Sequence, residues 1–260
     1  MHAETVRTSN WTGLWTLYMR EVRRFMKVHT QTLFAPMVTT LLFLAVFSLA
    51  LGVGRSAAGL PYADFLAPGL VMMAIAQNAF ANTSSSIVIA KVQGNIVDTL
   101  MPPFTAWELT LAINMGGVTR GVVVGTVVAV AMSFFVNLQI HSIAAIAFFA
   151  FTASLMLALL GTIGGIWADK FDHIAAVTNF VVTPLSFLSG TFYTIDRLPE
   201  AAQWLAHINP FFYMIDGFRF GFIGRSDVDP WIGVLVMCAI NAVLWAVCQR
   251  MFATGYKLKA

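Results

Sequence analysis

The chain has 260 residues, of which 58% are hydrophobic and 10% charged, with a formal net charge of +3 and a mean hydropathy of +0.78. Soluble domains carry about 25% charged and 45–50% apolar residues, so this composition excludes an ordinary water-soluble domain and predicts an integral membrane protein. The long uncharged runs do not alternate as barrel strands do, which leaves an all-α chain of membrane-spanning helices.

Residues 14–28, LWTLYMREVRRFMKV, place Leu14, Leu17, Tyr18, Val22, Phe25 and Val28 near one helical stripe, with Arg20, Arg23, Arg24 and Lys27 mostly off it. A basic amphipathic helix just before a span predicts a segment lying in the membrane interface. It either anchors the topology on anionic lipid or offers a surface to a cytoplasmic partner. The first thirty residues hold no continuous apolar core before a small-residue cleavage site. No signal peptide is therefore expected, and the mature chain should begin near Met1.

No Asp, Glu, Lys or Arg lies between Lys27 and Arg55 or between Asp64 and Lys91, and the run 121–168 is uncharged apart from His141. That last run suits two spans of ~20 residues joined by a tight turn, placed at VNLQIHS. Uncharged runs over 174–195 and 230–249 bring the expected transmembrane helices to six. Span one, 32–53, is expected to break early at Pro36. Span two, 65–90, has a polar second half, AQNAFANTSSS, with Asn78, Asn82, Ser85 and Ile89 along one face and Gln77 and Ser84 beside it. Amides and hydroxyls at that depth either hydrogen-bond neighbouring helices or line a watery path.

The connector KVQGNIVDTLMPPFTAWEL, 91–109, is strongly punctuated. Gly94 and Asn95 suit a turn, Pro102 and Pro103 end any helix begun near Ile96, and a new helix restarts from Phe104. A short helix standing off the membrane is predicted, with Ile96 and Leu100 on one face and Asp98 on another. Span three carries Gly117, Gly121 and Gly125 four residues apart, a seam for close helix packing. Arg120 is expected near the inner interface, either snorkelling or paired with Glu108. Span four ends at IWADKFDHI, whose Asp169, Asp172 and His173 read as solvated loop in preference to a metal site. Span five includes Asn179, Thr183 and Pro184, a second polar and kinkable helix.

Between spans five and six, Leu198, Ala201, Ala202, Leu205 and Ile208 form the stripe of one helix, opened by Pro199 and Glu200. A second helix starts at the cap Asn209–Pro210 and runs toward Gly224 with Phe211, Ile215, Phe218 and Phe222 on one face. Each is too short to cross a ~30 Å hydrocarbon core. The pair is either a re-entrant hairpin or a loop on the headgroups, with Trp204 and Tyr213 as interfacial anchors.

Six spans put both termini on one side, together with Arg7, Arg20, Arg23, Arg24, Lys27, Lys91, Lys170, Arg250, Lys257 and Lys259; Arg55, Arg197, Arg219 and Arg225 fall on the other. The positive-inside rule makes the terminal side cytoplasmic. Cys238 and Cys248, ~15 Å apart on one helix, are too distant to form a disulfide.

Several chemistries lack their residues. None of the five histidines pair at the spacing of a helical zinc protease, and neither G-x-S-x-G nor G-x-x-x-x-G-K-[ST] occurs. No catalytic residue and no metal ligand is assigned, and the chain should not hydrolyse ATP itself. An intramembrane lipid-processing enzyme and a non-transporting membrane assembly protein remain as alternatives. The first lacks its constellation, and the polar faces of spans two and five weigh against the second.

The basic helix, the six spans, the inner segment GNIVDTLMPPFTAWEL and the stretch TPLSFLSGTFYTIDRLPEAAQWLAHINPFFYMIDGFR together resemble the ABC-2 type transporter permeases, the membrane subunits of bacterial type V ABC exporters. Within that family the chain looks most similar to the drug-efflux and Nod-factor export group. The resemblance covers essentially all of it, as one transmembrane domain with an interface region at 1–30, a coupling segment at 91–109 and an outer hairpin at 190–229. It implies that Gly94, Asn95, Ile96, Asp98, Leu100, Pro102 and Pro103 form the element that docks on an ATPase, and that Arg20, Arg23, Arg24 and Lys27 belong to the interface helix. By the same resemblance Asn78, Asn82, Ser85, Asn179 and Thr183 border the path, and Pro199, Trp204, Pro210 and Phe211 belong to the outer hairpin. It further implies a homodimer with two separate ABC ATPase chains, which bind ATP and Mg, and no cofactor in this chain. Membrane lipid is an expected contact and nucleic acid is not. The expected location is the bacterial inner membrane, with transport outward. Amphipathic drugs, lipids and lipid-linked saccharides all suit the uncharged path candidates.

Overall fold

The structure, a computed structural model, describes residues 10–51, 56–57, 59–194 and 199–258. Arg7, Arg55, Arg197, Leu198, Lys259 and the side chains of Ala201 and Ala202 lie outside the described residues.

Helix α1 (Trp11–Met26) opens on Asn10, whose side chain accepts the Gly13 N–H at 2.9 Å. It buries Leu17, Glu21 and Phe25, four residues apart, so the stripe against the bundle holds an acid between two apolar residues. Val28, at the end of the expected stripe, is half exposed. Span one follows as a π-helical turn, Thr30–Phe34, continued by α2 (Ala35–Leu51). Pro36 therefore does not break this span. A proline lacks its N–H and crowds the carbonyl four residues back, here Thr32, and the widened turn absorbs the mismatch. Span five repeats the device: α7 (Phe171–Val177), a π-helical turn at Thr178–Val182, then α8 (Thr183–Leu188) with Pro184 just inside.

A two-residue antiparallel pair, β1 (Ser56–Ala57) with β2 (Leu60–Pro61), leads into α3 (Tyr62–Val92). Among the described residues six helical stretches are long and apolar enough to cross a membrane, and they are not equivalent. Of the most apolar eighteen residues of α3, 83% are buried, against 11% in each of spans one and five. Helix α3 is thus the axis of the bundle, flanked by α5 (Ala106–Met132) and α6 (Ile143–Trp167). Its neighbours approach through glycine: a Cβ on Gly117 would lie 2.8 Å from both Thr83 Cγ2 and Ala158 Cβ, and one on Gly161 only 2.5 Å from the Phe80 carbonyl oxygen. The seam expected on span three is where α5 meets α3 and α6. Helix α11 (Pro230–Thr254) starts on an Asp229 cap and ties to α6 through Asn241, which donates to the Thr152 carbonyl at 3.0 Å.

The segment before α11 holds α9 (Glu200–Ile208) and α10 (Pro210–Ile223), the latter capped by Asn209 and ended by Gly224 in the left-handed region at φ +72°. Helix α10 is buried along Phe211, Ile215, Phe218 and Phe222, as its periodicity predicts, whereas Trp204, Leu205 and Ile208 of α9 are exposed. The charges Asp216 and Arg219 on α10 are buried. Asp216 accepts from the N–H groups of Asp227 and Val228 and from Ser226 Oγ, holding the turn after α10. Arg219 donates to the Gly190 carbonyl at 2.7 Å and lies 4.0 Å over the Phe65 ring. Each charge is used internally, which is why burial is tolerated.

Candidate functional site

The polar face of α3 opens onto a cavity of about 710 Å³ bounded by α1, span one, α3 and α5. Ligand pockets occupy roughly 300–1,000 Å³, so this one is large enough for a molecule. Asn78, Gln77 and Ser85 line it from α3, Thr39, Thr40 and Phe43 from α2, Arg24 from α1 and Arg120 from α5.

Arg24 does not lie on the lipid-facing side of α1. Its guanidinium turns into the bundle and donates to the Asn82 carbonyl at 2.5 Å, to Asn82 Oδ1 at 3.1 Å and to Ser85 Oγ at 3.2 Å. The buried Glu21 carboxylate meets Arg24 Nε at 3.3 Å and Arg20 at 3.2 Å, and accepts from Ser86 Oγ at 2.8 Å. Gly116 of α5 makes the room: a Cβ there would fall 2.5 Å from Glu21 Cβ. Arg20, in turn, donates to Thr99 Oγ1 at 3.0 Å. A continuous polar chain therefore runs from the connector after α3, through α1, to the rim of the cavity.

Arg120 neither snorkels to an interface nor pairs with Glu108. It stands fourteen residues beyond Ala106, ~21 Å along the α5 axis, and donates to Asn78 Oδ1 at 3.2 Å, in the middle of α3. Glu108 is engaged elsewhere: it closes a capping box with Thr105 and accepts the Asn10 N–H at 2.8 Å, pinning the start of α1 to the start of α5.

Below the cavity the connector forms α4 (Ile96–Leu100), entered by a turn at Gly94, φ +76°, where only glycine sits without strain. Ile96 and Leu100 turn toward the bundle and pack against the apolar cluster that contains Leu17 and Leu109. Gly94, Asn95, Val97, Asp98, Met101, Pro102 and Pro103 are exposed. Nearby, Lys91 and Lys257 cap the end of α6, donating to the carbonyls of Ile166, Trp167 and Ala168. Both also pair with Asp169; the Lys257 hydrogen bond holds the Asp169 carboxyl below its usual range.

Of the residues singled out in the sequence, Asn78, Asn82 and Ser85 come together, Asn78 and Ser85 on the cavity and Asn82 beneath Arg24. Asn179 and Thr183 do not join them: Asn179 is exposed and Thr183 half-buried on span five. Arg23 and Lys27 point outward, Pro199 and Trp204 are exposed, and Pro210 and Phe211 pack inward at the start of α10. Sequence reasoning missed Glu21 and Thr99 as members of one network. Glu21 was findable, since it stands four residues from both Leu17 and Phe25 on the buried stripe. The partner of Arg20 was not, because it lies 79 positions away.

The described residues thus form a bundle of six candidate spans with a basic first helix, an exposed short helix after the second span and a buried helix before the last. Residues 12–223 match the family described as ABC-2 type transporter, and the chain belongs to that family. It is 38% identical to the inner membrane transport permease YadH of Escherichia coli strain K12, over 92% of this chain and 96% of that protein. It is also similar to Nodulation protein J of Rhizobium leguminosarum bv. viciae, 25% identical over 93% of each chain, and to that of Neorhizobium galegae, 21% identical over 88% of this chain and 87% of the other.

Proposed function

We propose that this chain is the membrane subunit of an ATP-driven exporter in a bacterial inner membrane, working as a homodimer with two separate ABC ATPase chains. ATP and Mg belong to those chains; this one supplies the path and the docking surface, with both termini on the cytoplasmic side. The observation that carries the reading is the polar chain Thr99–Arg20–Glu21–Arg24–Asn82, which ties the exposed α4 to the rim of the cavity. Val97, Asp98 and Met101 form the surface presented to the ATPase, while Ile96 and Leu100 anchor α4 to the bundle. A displacement of α4 is then transmitted through α1 to the cavity. Asp98→Arg reverses a charge on the exposed face without touching the core. Co-expressed with its ATPase, this variant should insert normally but lose most of the ATPase stimulation that the wild-type permease confers. Unchanged stimulation and unchanged co-purification would remove α4 as the coupling element.

A further inference from the structure

The lining of the cavity contains two charged side chains, Arg24 and Arg120, and both are positive. Arg24 shares the Glu21 carboxylate with Arg20 and is otherwise held by Asn82 and Ser85. Arg120 has less. Its one hydrogen bond is to the neutral Asn78 amide, its buried Nε has no hydrogen-bond partner, and no carboxylate is paired with it among the described residues. A guanidinium at membrane depth is costly and is normally matched by a counter-charge or faces an aqueous or ligand-filled space. Its position excludes relief at the headgroups, because the Asn78 bond holds it mid-way along both α3 and α5. An anion in the cavity would supply such a counter-charge, and a guanidinium fork suits phosphate, sulfate or carboxylate oxygens. Above this level Phe43, Leu70 and Met73 give the same cavity an apolar wall, with Thr39 and Thr40 offering hydroxyls.

We infer that the cavity binds the anionic head of an amphipathic molecule, the head between Arg120 and Arg24 and the apolar portion along Phe43, Leu70 and Met73. Resting on the permease reading, that molecule is the class of substrate carried; the site itself is defined by the charges whatever the chain transports. The test needs neither the ATPase nor transport. The purified chain in phosphatidylcholine nanodiscs is titrated with three fluorescent-tailed alkyl probes that differ only in their heads: phosphate, trimethylammonium and maltoside. Inorganic phosphate serves as a competitor. The alkyl phosphate is expected to bind about tenfold tighter than the other two, a typical value for one charge-assisted contact. Arg120→Gln should abolish that preference, and Arg120→Lys should retain most of it. Equal affinity for the three heads in the wild type overturns the proposal even if the Gln variant does not fold. So does a preference that survives Arg120→Gln, or inorganic phosphate binding as tightly as the alkyl phosphate. Head-group preference without ATPase coupling would remove the permease reading and keep the site, whereas coupled transport without the preference would do the reverse.

Discussion

Glu21 is the residue on which α1 depends, and its 1% exposed side chain satisfies three donors at once. Removing one partner of a buried ion pair leaves the other charge uncompensated, at a cost of roughly 3–5 kcal/mol when both are fully buried. Arg20 and Arg24 keep part of their exposure, so Glu21→Ala should lower stability by about 2–3 kcal/mol. A thermal melt of the purified chain in detergent will read this as a clear fall in midpoint. A melt indistinguishable from wild type would mean that the other contacts of α1, the burial of Leu17 and Phe25 and the Asn10–Glu108 bond among them, hold it without Glu21. The sequence marked Arg20 and Arg24 as basic residues off an apolar stripe but gave no means of knowing that one of them turns inward. An arginine stem can lead to headgroups or to a buried acceptor with equal local geometry. Only the placement of Asn82 and Ser85 opposite α1 decides between them.

At the scale of elements, helix contact in this bundle is controlled by where Cβ atoms are absent. Gly161 and Gly164 both lie in α6, three residues apart, and only the first is crowded. A methyl on Gly161 would press to 2.3 Å from Thr83 Oγ1 and 2.5 Å from the Phe80 carbonyl, while one on Gly164 would meet Ile174 Cδ1 at 3.6 Å. Gly161→Ala should therefore separate α6 from α3 and cost about 1–3 kcal/mol by overpacking. Gly164→Ala should be neutral or stabilising by up to about 1 kcal/mol through the gain in helix propensity. Melting curves of the two variants side by side provide the check, and equal destabilisation would refute this account of the seam. The helices themselves were legible: Asn209 with Pro210 and Gly224 bracket α10 in the sequence as they do in space. The π-helical turns were not legible, although each precedes a proline that is. A proline announces that an ordinary helical turn cannot continue, but whether the chain kinks, stops or widens depends on what packs around it.

For the whole molecule, two weakly buried spans fall on one side. Phe43 of α2 meets Phe187 of α8 edge-on at 6.4 Å, which joins spans one and five into a single face. That face exposes Leu42, Leu49 and Phe180, and with them the amide of Asn179. Apolar side chains alone would suit lipid, but an amide facing hydrocarbon would not. Covering this face with a second copy would shield Asn179 and close the side of the cavity formed by α2. With exposed Cys238 replaced by serine, Phe180→Cys should give oxidant-dependent cross-linked dimers in membranes. Leu235→Cys, also exposed but on α11, should give few. Equal yields at the two positions would discard spans one and five as the dimer face.

The sequence by itself determined the class of protein and the number of spans, because a hydrocarbon slab imposes minimum lengths of uncharged helix that can be counted. It also placed the polar face of α3, since helical periodicity alone puts Asn78, Asn82 and Ser85 together. Only the tertiary structure decided which charges are internal. Glu21 is buried where Ser86 of α3 joins the two arginines of its own helix, Asp216 and Arg219 are buried against partners supplied by other segments, and Arg120 is set at mid-depth facing a cavity. A side chain's ionic surroundings depend on what is near it in space, and in a bundle of helices that is set by contacts many residues apart along the chain.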